Sequence, residues 1–148
     1  GWRGYHTDKS ITFYFGDLDE NPKADLIRAA HEQCIALEKM TAELLRPGAV
    51  PAEIYEKILA AVDPAFRDGF MNSCKFLGHS IGLTMDEAPV LAKGFNDPVV
   101  PGMTFAVEPK IALEGIGLIG TENTYEVTED SAAKSLTGDC ETGLEINY

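Results

Sequence analysis

The stretch TFAVEPKIALEGIGLIGTENTYEV, Thr104 to Val127, decides how this chain folds. Two apolar, alternating runs flank a glycine-containing turn, the pattern of an antiparallel hairpin. Folded about Gly115, the segment brings Glu108 and Glu122 opposite one another, each seven residues from the turn. Opposed residues on antiparallel strands project from the same face of a sheet. Phe105, Val107, Pro109, Ile111 and Leu113 form the apolar face of the first strand. Glu108 shares the other face with Thr104, Ala106, Lys110 and Ala112, and Glu122 lies between Gly120 and Thr124. Two carboxylates about 5 Å apart repel by roughly 3 kcal/mol at an effective dielectric near 20. Solvation at the surface, pairing with Lys110, protonation of one acid, or a shared metal ion would each relieve that repulsion.

Outward from the hairpin, the sequence predicts an α+β domain. YHTDKSITFYFGD alternates as a strand, with His6, Asp8, Ser10 and Thr12 on one face and Thr7, Lys9, Ile11, Phe13 and Phe15 on the other. From Lys23 to Arg46, apolar residues recur at three- and four-residue spacing until RPG stops the run. A second helix is predicted at Ala52 to Val62, extended by PAFRDGF. CKFLGHSIGLTMDEAPVLAKG then reads as a connecting segment, NDPVVPG as a loop, and the residues after the hairpin as a polar tail. The order strand, two helices, loop and hairpin suits helices backing one face of an antiparallel sheet.

Composition narrows the classes of function. The chain has 148 residues, enough for one domain with a sizeable core, and 45% of them are hydrophobic. Twenty-four acidic against 12 basic residues give a formal charge of −12, which opposes a phosphate-tracking nucleic-acid surface. Cys34, Cys74 and Cys140 are odd in number and lack close pairing, so a reduced, intracellular protein is expected. No apolar run has the length of a membrane span, and no membrane association is expected.

Two further residues carry chemistry. His79 stands between glycines in LGHSIGL, where the backbone can turn tightly or approach a bound group. Asp8 sits mid-strand, where Asp is disfavoured. With Glu108 and Glu122 they would make a mixed oxygen and nitrogen donor set suited to Mn, Co, Zn or Fe(II). His6 shares the face of Asp8, and His31 is expected on a helix surface.

The pieces GYHTDKSITFYFG, GHSIGLTMDEAP, VVPGMTFAVEP and GLIGTENTYEVTED stand in an order that resembles the pita-bread family of creatinase, prolidase and methionine aminopeptidase. The resemblance spans Tyr5 to about Asp130. It implies a curved antiparallel sheet backed by helices and a metal-dependent hydrolase, closest to Xaa-Pro dipeptidases and aminopeptidases. Such an enzyme cleaves dipeptides or short peptides near the N-terminus with a metal-activated water. It implies two divalent ions in the complete domain, with Asp8, His79, Glu108 and Glu122 as ligands and Glu108 also as the proton shuttle. It further implies a cytoplasmic homodimer, with manganese among the expected metals.

Two departures from the family pattern stand out. The family's first Asp ligand would precede residue 1, so residues 1–148 are expected to be the C-terminal part of a catalytic domain. In the family's HE-x-P segment this chain has MDEAP, which places Asp86 at a substrate-contacting histidine position. An ionised Asp donates no hydrogen bond, so it would bind an amine or cation or remain a solvated loop residue. A creatinase-like, metal-independent C–N hydrolase and a non-catalytic binding module are the competing expectations.

Overall fold

The computed structural model describes residues 3–139 and 143–146. The N-terminal segment contributes two short strands, β1 (Ser10–Ile11) and β2 (Tyr14–Phe15). Helix α1 (Ala24–Leu44) and helix α2 (Pro51–Ala61) follow. Six strands come next: β3 (Phe76–Ser80), β4 (Glu87–Ala92), β5 (Thr104–Val107), β6 (Lys110–Leu113), β7 (Gly117–Glu126) and β8 (Lys134–Ser135). β9 (Glu145–Ile146) closes the described chain and pairs with β2. The class is α+β, with a main sheet ordered β1-β7-β5-β3-β4.

β7 is the axis of that sheet. Along one edge it pairs first with β6, Lys110 opposite Gly120, and then with β5, Ala106 opposite Thr124. Both pairings keep the register of a single hairpin folded about Gly115, whose φ of 72° suits a residue without Cβ. The ladder is interrupted only at Glu108 and Pro109, because proline has no N–H to give it. β7 also pairs with β1, Ser10 opposite Glu122, and with β8, Tyr125 opposite Ser135.

Helix α1 lies against β7 and buries Ile27, Ala30, Cys34 and Leu37, the predicted apolar stripe. Phe105, Val107, Ile111, Ile119 and Tyr125 answer it from the sheet. α2 packs on β4 with Ile54, Tyr55 and Ile58. This core leaves the opposite face, which carries Ala106, Gly120, Glu122 and Thr124, free to build a site.

Several sequence expectations need correction. The predicted N-terminal strand pairs with the main sheet only at Ser10–Ile11, and Ile11, Phe13 and Phe15, which share one face of the alternation, are exposed. Helix α2 does not continue through PAFRDGF. The Asp63 carboxylate instead accepts from Ala65 N at 2.8 Å and caps a separate 3-10 turn, Pro64–Phe66. The segment expected to be a connector forms β3 and β4, and the polar tail supplies β8 and β9. His31 is not on the helix surface but buried at 4% exposure. His31 stands four residues after Ile27 and three before Cys34, so the helical spacing of α1 itself turns it to the buried face.

Candidate metal centre

Strand register brings the sequence-selected residues together. On the face away from α1, His79 lies opposite Ala106, and Ala106 opposite Thr124. The Thr124 hydroxyl then accepts from Asp8 N at 2.8 Å and donates to Asp8 O at 2.9 Å. A buried side chain thus completes the pairing that continues β1 toward Asp8. One step along β7, Glu122 pairs with Ser10, whose hydroxyl donates to Glu122 Oε2 at 2.6 Å.

Asp8, His79 and Glu122 each present a donor atom, and these atoms lie within 4.8 Å of one another. His79 and Glu122 are buried and Asp8 is half-buried. The His79 ring is oriented by its backbone: Nδ1 lies 3.0 Å from the Ser80 carbonyl, which can only accept, so Nδ1 carries the proton. Nε2 is therefore the nitrogen turned toward the acids, 3.1 Å from Asp86 Oδ1 and 3.7 Å from Glu108 Oε1. A β-bulge shifts the β3–β4 register on both sides of His79, a device that re-aims a side chain.

Glu108 stands at the edge of this group, with its carboxylate paired to Lys110 Nζ. Glu108, Lys110, Glu122, Ser10 and Thr12 line one cavity of about 150 Å³. Burial pushes the Glu122 carboxyl above its ordinary range; the Ser10 hydrogen bond opposes this, while Asp8 and Glu108 add to it and Lys110 offsets it. Asp86 is largely exposed and lines a second cavity of about 380 Å³ with Phe76, His79, Glu87 and Val90. His6 lies nearby without joining the donor group: its backbone N–H bonds to Gly82 O at 2.7 Å.

A divalent ion fits this arrangement. Two carboxylates and an imidazole with its second nitrogen tethered are a common donor set for a hydrolytic metal. The negative charge crowded at Glu122 also calls for a cation. Among the described residues no other cluster of three such donors occurs.

Beneath the site lies a polar contact that the sequence reading did not find. Glu38, fully buried on α1, accepts from Asn123 Nδ2 and from the Tyr125 hydroxyl, each at 2.7 Å. Asn123 Oδ1 in turn receives Lys9 Nζ at 2.7 Å and the Thr137 hydroxyl at 2.8 Å. The network locks β7 to α1 and to the segment carrying Asp8. Its one sequence signal is an acid four residues after Cys34, inside an apolar stripe.

Residues 1–129 match the Metallopeptidase family M24. The chain belongs to this family. It is 31% identical over 135 residues to the probable dipeptidase PepE of Mycobacterium tuberculosis, covering 87% of this chain and 32% of that protein. It is 27% identical over 130 residues to the Xaa-Pro dipeptidase of Lactobacillus delbrueckii subsp. lactis, covering 86% of this chain and 33% of that one. Among solved structures, the prolidase from Pyrococcus furiosus superposes with a TM-score of 0.78 at 27% identity, covering 93% of this chain and 38% of the prolidase. The pita-bread fold of family M24 is therefore the fold of this chain. The chain spans about a third of the length of the curated relatives it matches.

Proposed function

We propose that residues 1–148 belong to the catalytic domain of a metal-dependent peptidase that acts on Xaa-Pro dipeptides or short peptides. The convergence of Asp8, His79 and Glu122 within 4.8 Å carries this reading. Membership of a metallopeptidase family whose named relatives include dipeptidases supports it. A bound divalent ion, whether Mn, Co, Zn or Fe(II), would supply Lewis acidity and an activated water. Asp8, His79 and Glu122 would hold it, with the Ser80 carbonyl and the Ser10 hydroxyl fixing two of those ligands in place.

Glu108 is the proton-handling residue of the proposal. Its Oε1 lies 3.7 Å from His79 Nε2, so it reaches the same small volume as the ligands without belonging to their group. A carboxylate in that position takes a proton from the nucleophile and returns it to the leaving amine. Asp86, at the open mouth beside His79, is placed to receive the positive end of a peptide. Two observations support a cytoplasmic setting and a homodimer. Cys34 and Cys74 are free thiols, and Ile11, Phe13, Phe15 and Leu118 form exposed apolar surface. No helix among the described residues is long and apolar enough to cross a membrane.

The test combines metal analysis, thermal unfolding and hydrolysis. Mn(II) at a hundredfold excess over its Kd is expected to add about 2.7 kcal/mol of stability, which a chelator removes. Glu108→Gln is expected to retain the metal and lose at least about a hundredfold in kcat on an Xaa-Pro dipeptide. Stability indifferent to Mn(II), Co(II), Zn(II) and chelator would eliminate the metallopeptidase reading. Full hydrolysis by Glu108→Gln would remove that residue from proton transfer.

A further inference from the structure

The two carboxylate donors of the metal centre are held from behind. The ladder between β1 and β7 covers Ser10 and Ile11 and does not extend to Asp8. The Asp8 main chain is held instead by the Thr124 hydroxyl, at 2.8 and 2.9 Å. A second contact joins the residues that follow the two donors in the chain: the ammonium of Lys9, next to Asp8, donates to Oδ1 of Asn123, next to Glu122, at 2.7 Å. Asn123 has one orientation available in this arrangement. Its Nδ2 donates to Glu38 Oε1 at 2.7 Å, and its Oδ1 accepts from Lys9 and, at 2.8 Å, from the Thr137 hydroxyl. Reversing the amide would set a carbonyl oxygen against the Glu38 carboxylate and an N–H group against the Lys9 ammonium. Glu38 and Asn123 are buried and Lys9 is exposed, so the amide is aligned between an interior acid and a surface cation. Glu38 Oε2 is left without a hydrogen-bond partner, a cost that packing alone would not require.

On the site face, Asp8 and Glu122 present their donor atoms within 4.8 Å of one another, where two carboxylates repel. Before an ion arrives, that repulsion acts to part the Asp8 segment from β7. The Lys9–Asn123 contact acts in the opposite sense, one residue further along each segment. We propose that Lys9 is a positioning residue of the metal centre: it clasps the Asp8 segment to Asn123, itself fixed by Glu38, and so keeps the Asp8 and Glu122 carboxylates within reach of one point before a divalent ion binds. Outer contacts of this kind orient the groups that touch a metal. The inference rests on the metal centre proposed above.

Two measurements on the full chain test the assignment: hydrogen exchange at the Asp8 amide without metal, read by NMR, and calorimetric titration with Mn(II). Lys9 is exposed, so Lys9→Met and Lys9→Ala are expected to keep the metal-free Tm within about 4 °C of the wild type. Both are expected to exchange the Asp8 amide at least about fivefold faster. Both are also expected to bind Mn(II) about tenfold more weakly. The direction of that change is diagnostic, because removing a nearby cation by itself tightens the binding of a dication. Lys9→Arg can still donate to Asn123 Oδ1 and is expected to restore both readouts. Mn(II) affinity equal to or tighter than that of the wild type in Lys9→Met overturns the proposal, as does an unchanged Asp8 exchange rate. A metal-free Tm far below that of the wild type makes the contact a general support of the fold and overturns it too. In all three cases the wild type still binds Mn(II), and the metal centre stands. Absence of Mn(II) binding by the wild type removes the metal centre, and the inference with it.

Discussion

At the residue scale, the opposed glutamates are relieved in different ways. Glu108 is neutralised by Lys110, whereas Glu122 sits in a buried site with Asp8 and Glu108 adding to its burden. A group whose folded-state pKa is raised has to give up its proton at a cost as pH rises above its unfolded value near 4.3. At neutral pH the ionised Glu122 therefore destabilises the metal-free fold. Glu122→Gln keeps an oxygen for the Ser10 hydroxyl and removes the charge. It is expected to raise the metal-free Tm by a few degrees at pH 7 and to lower Mn(II) affinity by at least about tenfold. A metal-free Tm equal to or below that of the wild type would show that Glu122 carries no such cost. His79 is a simpler case: the Ser80 carbonyl holds its Nδ1, so sequence reasoning could name the residue but not which nitrogen faces the acids.

At the scale of elements, the glycine before His79 has a different role from the expected one. The sequence suggests that it permits a tight turn or close backbone approach to a bound group. In the fold Gly78 instead admits a neighbouring strand: a Cβ there would meet the Ala106 carbonyl at 2.1 Å and Val107 Cα at 3.1 Å. Gly78→Ala must therefore push β3 away from β5, carrying His79 out of line with Asp8 and Glu122. The expected cost is about 1–3 kcal/mol of stability, accompanied by a loss of metal affinity. Gly82→Ala is the control, since its Cβ would meet only the Glu87 carboxylate at ordinary contact distances, the shortest 3.6 Å. Calorimetric Mn(II) titration of both variants decides the point, and equal affinities would sink it. The β3–β4 pair was hard to see in sequence for a related reason. Its register shifts break the two-residue alternation by which strands are recognised.

At the scale of the whole molecule, the interior encloses more polar chemistry than the sequence disclosed. His31 and Glu38 both lie on the inner side of α1. Burial pushes the His31 imidazole below its ordinary pKa, against the smaller opposing pull of Glu32. The unfolded chain then binds the proton more readily than the folded one as pH falls below about 6.5. His31 therefore costs nothing above that pH and withdraws stability progressively as pH falls toward its lowered folded value. Thermal unfolding between about pH 7.5 and 5 is expected to show a steeper fall for the wild type than for His31→Gln. Parallel curves would mean that His31 is not buried neutral.

The sequence by itself determined the hairpin and its register and the helical stripe of α1. Both are legible because local periodicity and turn chemistry act over a few residues. The grouping of Asp8, His79, Glu108 and Glu122 came instead from the order of four short pieces that resembles the pita-bread family. Tertiary structure alone decided which of the four converge. Asp8 is brought in through the Thr124 hydroxyl across the sheet, His79 is aimed by a bulge, and Glu108 is drawn aside by Lys110. It also left Ile11, Phe13 and Phe15 exposed, because only Ser10–Ile11 of that alternating run finds a partner in the main sheet. Charge pairing and burial depend on the distances between elements far apart in the chain, and alternation within one strand carries no information about them.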